Sequence, residues 1–517
     1  MNVPSPNRAS RSELYTSVLA VAIITALSTV LMLRCTSPEL VWDEADYANA
    51  GIENHWKVLW AESDYARHGH GPMGIYLAKL GYQLLPKHLA SVEVRLRFFD
   101  ALAGSLGVGL LYWILRHLFH TSRPAAIVGS ALLLCSVIRL KETYILGPHH
   151  LMLLCTLLLA GLGYHWLETA PPQAGIALGV VMGFGGLSMT YIIPAALCWA
   201  LAVALAGKQW FAWYRDGVRL SWSLAIAPMI ATVVVLVLWP PGVLQHVILS
   251  NFHWYMHYRT AAVLVGDRVF TAAPRWAFFY WLGRLDLPVL LCSACIVLLV
   301  LRNASKTARF SSKHLFLGIF AAFFLGTALA AHMAGSRNIL QFVGILCLTT
   351  GALYDEALRN RPQLARIGCV AILLVAIANL AWLSRSDYHF LASDGYRAFL
   401  RENAERLHEH AKAIVFNTPA FKLYTRETET EVAWDISEAG WTTRADFPLP
   451  ADVKYVLVPA YFPDDMPPEQ PLRRIVARDW KLTWTYREGH VWELRLYENP
   501  EPTSVRVPPA SAQSKKF

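Results

Sequence analysis

From Leu14 to about Leu383 one apolar run follows another, each parted from the next by a short polar or basic linker. A helix crossing the hydrocarbon layer needs about 20 mostly apolar residues, and shorter ones are tolerated at modest cost. On that length the pattern predicts about eleven spans. The first four are Leu14 to Leu33, Phe98 to Phe119, Pro124 to Leu140 and His149 to Leu167, followed by Ala174 to Leu187, Tyr191 to Ala206 and Trp222 to Trp239. The last four are Trp276 to Leu301, His314 to Ala331, Ile339 to Tyr354 and Ala365 to Leu383. The first run ends at Leu33-Arg34-Cys35 without a small-residue cleavage pattern, which predicts a retained anchor.

Beyond Ser384 the pattern changes to that of a small soluble unit. A helix-like run from Tyr396 to Ala411 precedes short β-branched and aromatic runs (AIVFN, EVAWD, KYVLVP, WKLTWTYR, VWELRLYE) set apart by polar or Pro-rich turns. The predicted fold is therefore mainly α: a polytopic transmembrane helical bundle with a large first external loop carrying interfacial helices, plus a small C-terminal α/β domain. Residues 1–384 form the membrane domain, with 35–97 and 240–275 as its main external loops. Residues 385–500 form the soluble domain, and 501–517 a disordered tail.

Charge orients the bundle. The basic linkers Arg116 to Arg123, Lys208 to Arg219, Arg302 to Lys313 and Arg359 to Arg366 all fall on the side of the N-terminus, which the positive-inside rule makes cytoplasmic. An odd number of spans then puts the C-terminal domain on the outer, periplasmic face of a cell (inner) membrane. The net charge of +9 does not point to nucleic acid, because the basic residues form short clusters between apolar runs. With 55% hydrophobic and 16% charged residues, the chain is a lipid-embedded protein. Seven of its eight cysteines lie inside apolar runs and read as small buried hydrophobes, the Cys292/Cys295 pair included.

The unusual polar residues gather on the outer face. Directly after the first span comes VWDEADYANAG from Val41, in which Asp43 and Glu44 are adjacent, with Trp42 before them and Tyr47 after. On a helix adjacent side chains diverge by about 100°, so only one of the two acids can face a reacting group. A carboxylate in a partly desolvated cleft is a suitable general base for an acceptor hydroxyl. The alternative is that both acids merely cap the helix that follows. Further along, Arg67, His68 and His70 precede an amphipathic stretch starting near Pro72, divided by Lys79 and Lys87, which predicts a helix lying on the membrane. Two imidazoles without a third ligand make a weak zinc signal, and an Arg plus His cluster suits a lipid phosphate better. The loop from Asn251 contributes His257, Tyr258 and Arg259, and Arg337 precedes the tenth span. Each of these also reads as an ordinary interfacial residue.

In this order the segments resemble the C-type glycosyltransferase superfamily of integral membrane enzymes, and more narrowly its protein O-mannosyltransferase and aminoarabinose transferase branch. Trp42-Asp43-Glu44 matches the acidic motif of the first external loop. His70-Gly71-Pro72-Met73-Gly74 resembles its HPPLG-type segment, with Gly71 in place of a proline. Ser336-Arg337-Asn338 and the loop from His257 resemble later segments, whereas Gly147-Pro148-His149-His150 stands where relatives often carry an Arg and a Pro-Asp pair. The resemblance implies an inverting transfer of one sugar from a polyprenyl-phosphate donor to an acceptor on the outer face. Asp43 is then the base with Glu44 supporting it, and Arg67, His70, His257, Arg259 and Arg337 hold the donor phosphate. Trp42, Tyr47, His68 and Tyr258 line the sugar or acceptor side. The scheme calls for no cofactor and no metal, and its partners are the lipid-linked donor, an acceptor of unread identity and the membrane lipids. A polytopic transporter or flippase of lipid-linked sugars is the alternative, and spans nearly free of acids favour the enzyme.

Overall fold

The apolar runs fold as helices because Leu, Ala, Val and Ile fill them, and because their prolines stand in first turns, where no backbone donor is lost. Pro124, Pro172, Pro194, Pro288 and Pro362 all occupy such positions. The computed structural model describes residues 11–35, 39–40, 43–52, 73–144, 147–169, 172–188, 192–205, 226–235, 263–265, 268–270, 274–307, 311–330, 339–358, 361–386, 395–416, 418–439, 452–461, 480–488 and 492–500. Two compact units divide the chain, Met1–Tyr388 and His389–Phe517.

In the first unit the described helices are α1 (Arg11–Leu33), α2 (Asp43–Ile52), α3 (Met73–Leu84), α4 (Val92–Trp113, continued by a π turn over Ile114–Leu118), α5 (Arg123–Leu134) and α6 (Val137–Lys141). They continue as α7 (His149–Thr169), α8 (Pro172–Ser188), α9 (Ile192–Leu205) and α10 (Ile226–Val235). After a small antiparallel hairpin, β1 (Val263–Val265) and β2 (Arg268–Phe270), come α11 (Ala277–Leu285), α12 (Leu287–Thr307), α13 (Ser312–Ala330), α14 (Leu340–Ala357) and α15 (Pro362–Ser386). Among the described residues four helices are long and apolar enough to cross a membrane, or five if α11 and α12 count as one bent span. The outer faces of α1 and α15 leave Leu19, Val30, Ile367 and Leu374 exposed, as side chains meeting lipid rather than water would be.

Two expected spans are interrupted. The run Pro124 to Leu140 ends as a helix at Leu134, turns at Cys135 and restarts at Val137, where extended Ser136 accepts a hydrogen bond from the Arg139 N–H at 3.1 Å. The run Trp276 to Leu301 breaks at Asp286, and its two halves are bent by 103°. Pro288 explains this second break: its ring lacks an N–H and clashes with the carbonyl four residues back, so no helix runs through it. Cys295 is exposed and Cys292 partly so, which corrects the expectation that both are buried; all eight cysteines are free.

Close helix crossings fix the first unit. A methyl on Gly81 of α3 would fall 2.0 Å from the backbone carbonyl oxygen of Arg95 on α4. Only a residue without Cβ permits that approach, so Gly81→Ala should push α3 off α4 and destabilise the protein by about 2 kcal/mol. Thermal unfolding in detergent micelles checks this, and an unchanged midpoint would contradict the crossing. At the end of the bundle where α1 begins, Arg116 pairs with Glu13. There the Ser122 N–H and hydroxyl also donate to the two oxygens of Asp355, at 2.6 and 2.5 Å.

In the second unit, α16 (Gly395–Glu402) and α17 (Ala404–Leu407) are followed by β3 (Lys412–Phe416), α18 (Thr418–Glu427), β4 (Asp435–Ala439), β5 (Val453–Tyr461), β6 (Lys481–Glu488) and β7 (Trp492–Glu498). The expected single helix from Tyr396 to Ala411 is thus two, parted at Asn403, and α18 is an addition. The sheet order is β4-β3-β5-β7-β6, parallel across β4, β3 and β5 and antiparallel on the other side. Trp434 stacks on Tyr455 at 4.9 Å and on Phe421 at 6.3 Å, and its indole N–H donates to the Arg406 carbonyl at 2.8 Å. At the rim, Lys454 and the Tyr455 hydroxyl both donate to the same Glu409 oxygen, at 2.6 and 2.8 Å. These two bonds hold the Glu409 carboxyl below its ordinary range. A depressed carboxyl stabilises the fold above its unfolded pKa, and that contribution disappears as pH falls through the folded value. Glu409→Gln should therefore lower the unfolding midpoint slightly at pH 7, and the difference should shrink as pH falls below the ordinary carboxylate range.

Candidate active site

The site is built at the end of the bundle where α1 stops. The Cys35 N–H closes the last turn of α1 on the Met32 carbonyl at 2.8 Å, and the chain passes through buried Glu39 and Leu40 before α2 opens at Asp43. Small residues let α2 lie close to its support: Ala45 and Ala48 are wholly buried, and a methyl on Gly51 would fall 3.3 Å from the Lys79 amide nitrogen of α3. Lys79 itself is 1% exposed, whereas Leu80 and Leu84 of the same helix are exposed. On α4, Arg97 is buried and reaches the Glu39 carbonyl at 3.5 Å, which ties the start of α4 to the segment just before Asp43. Arg95 lies over the Tyr82 ring at 4.1 Å and donates to the Tyr82 carbonyl.

Beside this support runs the connector from Cys135 to His150, which is held by carboxylates from other helices. At one end Asp286, wholly buried at the break between α11 and α12, accepts from the Ser136 hydroxyl at 2.6 Å. It also accepts from the N–H groups of Val137 at 2.8 Å and Ile138 at 3.3 Å. These are orphan donors of a helix N-terminus, so Asp286 caps α6 from a distant part of the chain. At the other end Asp100 of α4 accepts from the Leu151 N–H at 3.3 Å in the first turn of α7, and its second oxygen lies 2.7 Å from His150 Nδ1. Between them Arg139, wholly buried, donates to the Leu133 and Leu134 carbonyls and, through Nη1, to the Ser28 hydroxyl at 2.9 Å. The Arg139 carbonyl faces His150 Nε2 at 3.0 Å. Both His150 nitrogens thus meet oxygen acceptors.

Of the residues singled out from sequence, Asp43, Glu44 and Tyr47 lie on α2, described here as backbone. Trp42, Arg67, His68, His70, His257, Tyr258, Arg259 and Arg337 lie outside the described residues. The structure adds Arg97, Asp100, Arg139 and Asp286, which sequence reasoning left out, and gives buried places to Lys79 and His150, which it named without a role. Asp100 and Asp286 are the two acids that fall within the predicted spans, and both are buried. The signal that finds them is an ionisable residue in an apolar run, which costs free energy unless it is paired.

Comparison with known proteins agrees with this architecture. Residues 69–239, about a third of the chain, match the family described as dolichyl-phosphate-mannose-protein mannosyltransferase. No curated protein matches the chain by sequence. Among solved structures, ArnT from Cupriavidus metallidurans in the apo state is 14% identical with a TM-score of 0.56, over 94% of this chain and 98% of that one. Its complex with undecaprenyl phosphate gives the same score over 93% and 98%. The oligosaccharyltransferase AglB from Archaeoglobus fulgidus, in complex with an inhibitory peptide and a dolichol-phosphate, is 13% identical with a TM-score of 0.54, over 87% and 70%. The chain therefore has the C-type glycosyltransferase fold and resembles the protein O-mannosyltransferase and aminoarabinose transferase branch of that superfamily.

Proposed function

We propose that the chain is an inverting glycosyltransferase that moves a sugar from a polyprenyl-phosphate donor to an acceptor on the periplasmic face of the inner membrane. The observation that carries this reading is α2, a helix opening on two adjacent acids just past the end of a membrane-length helix and seated on buried small residues, in the fold of ArnT and AglB. The lipid phosphates bound by those two proteins support a donor of the same chemistry. The Asp43 carboxylate takes the proton of the acceptor hydroxyl as its oxygen bonds to the anomeric carbon. The bond from that carbon to the phosphate oxygen breaks on the opposite side, and polyprenyl phosphate leaves with the electron pair. Negative charge grows on the leaving phosphate in the transition state, where cations stabilise it most; Arg67, His70, His257, Arg259 and Arg337 serve there. Glu44 supports the base, and Trp42, Tyr47, His68 and Tyr258 contact sugar or acceptor. The bundle of about eleven spans lies in residues 1–384, with a cytoplasmic N-terminus and residues 385–500 outside.

A transporter reading draws on the two interrupted helices and on the ionisable groups inside spans, both features of transport pathways. Here Asp100, His150 and Arg139 are linked by hydrogen bonds and Asp286 caps α6, which is the work of a scaffold. Purified protein in nanodiscs supplied with a polyprenyl-phosphate-linked labelled sugar and a membrane extract as acceptor source should release free polyprenyl phosphate. Movement of intact donor across proteoliposomes without cleavage would favour the transporter.

A further inference from the structure

The rim of the first unit where α1 begins holds more positive charge than its acids balance. Among the described residues the acids of that rim are Glu13, Glu168, Asp355 and Glu356, and each is engaged. Arg116 pairs with Glu13, the Tyr164 hydroxyl donates to Glu168, Ser122 donates to Asp355, and Lys313 and His314 pair with Glu356 at 3.0 and 2.5 Å. Arg123, which opens α5, and Arg361 and Arg366, at the foot of α15, are exposed and pair with none of these acids.

Contacts between helices bring the three arginines to one place. The Cys369 thiol lies 3.8 Å from the Pro124 carbonyl, so the first turns of α15 run beside the start of α5. On another flank of α15 the Tyr354 hydroxyl, near the end of α14, donates to the Ala365 carbonyl at 2.7 Å, and a methyl on Gly368 would fall 2.8 Å from the same oxygen. Arg366 stands about 160° around the helix from Gly368 and about 60° from Cys369, which turns it away from α14 and toward the α5 side. Pro124 is the second residue of α5, whereas Cys369 lies well inside α15, so the foot of α15 reaches about 10 Å further out. Arg361 and Arg366 are thus on the overhanging helix and Arg123 is at the end of the shorter one. One turn deeper on the same faces come exposed aliphatic side chains: Ile127 after Arg123, and Val370 and then Leu374 after Arg366, which are 37%, 56% and 62% exposed. Unpaired cations above a bare apolar strip suit one kind of molecule, a phosphate diester carried on acyl chains. The N-terminal ends of α5 and α15 add their positive dipole ends to the same rim.

We propose that Arg123, Arg361 and Arg366 hold the headgroup phosphate of an anionic phospholipid whose acyl chain lies along Ile127, Val370 and Leu374. The site is at the opposite end of the bundle from α2 and takes no part in the transfer reaction. Any arginine at a membrane surface attracts negative lipid, by about the same amount wherever it stands. A built site differs in that its loss depends on which arginine is removed.

The test titrates the full-length protein, in a neutral detergent, with phosphatidylglycerol and counts bound lipid by native mass spectrometry. One phosphatidylglycerol should bind ahead of any phosphatidylcholine. Arg366→Gln should weaken that first binding about fivefold, and Arg123→Gln by a similar factor. Arg302 carries the same charge on the same rim, beside Asn303, which donates to the Ala357 carbonyl at 3.3 Å. Arg302→Gln should change binding less than about 1.5-fold. Native-like binding by Arg366→Gln overturns the proposal; should that variant fail to fold, Arg123→Gln answers in its place. Equal loss in Arg302→Gln also overturns it, because the charge of the rim as a whole would then be attracting the lipid. Glycerol phosphate at the same concentration should leave the lipid bound, and its displacing the lipid overturns the proposal, since the apolar strip would then contribute nothing. A chain without transfer activity would defeat the functional reading and leave this result untouched, because the titration uses no sugar donor.

Discussion

Asp43→Asn should lower sugar transfer about a thousandfold, the range expected when a general base is removed from a reaction that needs one. The substitution keeps the size of the side chain and can still cap the helix, so α2 should form and the protein should insert and purify as the native chain does. Binding of undecaprenyl phosphate should be retained, because the base acts on the acceptor and not on the lipid. Glu44→Gln, on a side chain about 100° away around the helix, should cost far less. Single-turnover measurements on the two variants decide the matter: comparable activity of Asp43→Asn and native protein would remove Asp43 from the chemistry, and a larger loss at Glu44 would exchange their roles.

The largest effect on stability should come from Asp286→Ala. Three donors, the Ser136 hydroxyl and the N–H groups of Val137 and Ile138, end on that one carboxylate in a fully buried place. Removing it strands them and costs about 3–5 kcal/mol, of the order measured when one partner of a buried charged network is deleted. Asp286→Asn keeps one acceptor oxygen and presents an N–H where a second acceptor was, so its loss should be about half as large. Thermal unfolding in detergent should rank native, Asn and Ala in that order. An Ala variant as stable as the native protein would mean that the two interrupted helices do not depend on their mutual contact.

Much of the first unit is legible from hydropathy because a lipid-facing helix has one requirement, a long apolar run, and the sequence states it without ambiguity from Leu14 to Leu33 and from Ala365 to Leu383. The breaks at Ser136 and Asp286 are harder to see. Ser136 lies in an apolar run and ends a helix only because a carboxylate remote in sequence waits for the N–H groups that follow it. Pro288 is a visible breaker, yet a proline can also stand in the first turn of an uninterrupted span, and hydropathy does not separate the cases. In the second unit α18 escapes notice because it is short and opens on Thr418-Pro419; its buried side, Ala420, Phe421, Leu423 and Tyr424, is defined by the sheet it covers. At the site, the adjacent acids after the first span are conspicuous by position alone. The residues that hold the scaffold are not: Asp100, Arg139 and Asp286 are scattered along the chain, and their meaning depends on partners brought together by folding.

The bond between Asp286 and the start of α6 also orders events during synthesis. Ser136 emerges from the ribosome well before Asp286, so the early helices enter the membrane with the α6 terminus still uncapped. The connector between α5 and α7 can be capped only after α11 has been made and Asp286 has come to lie against it. A chain halted before Ala277 would carry α1 to α10, the acidic α2 among them, but not Asp286, so the cap on α6 is completed only after synthesis has passed the break between α11 and α12.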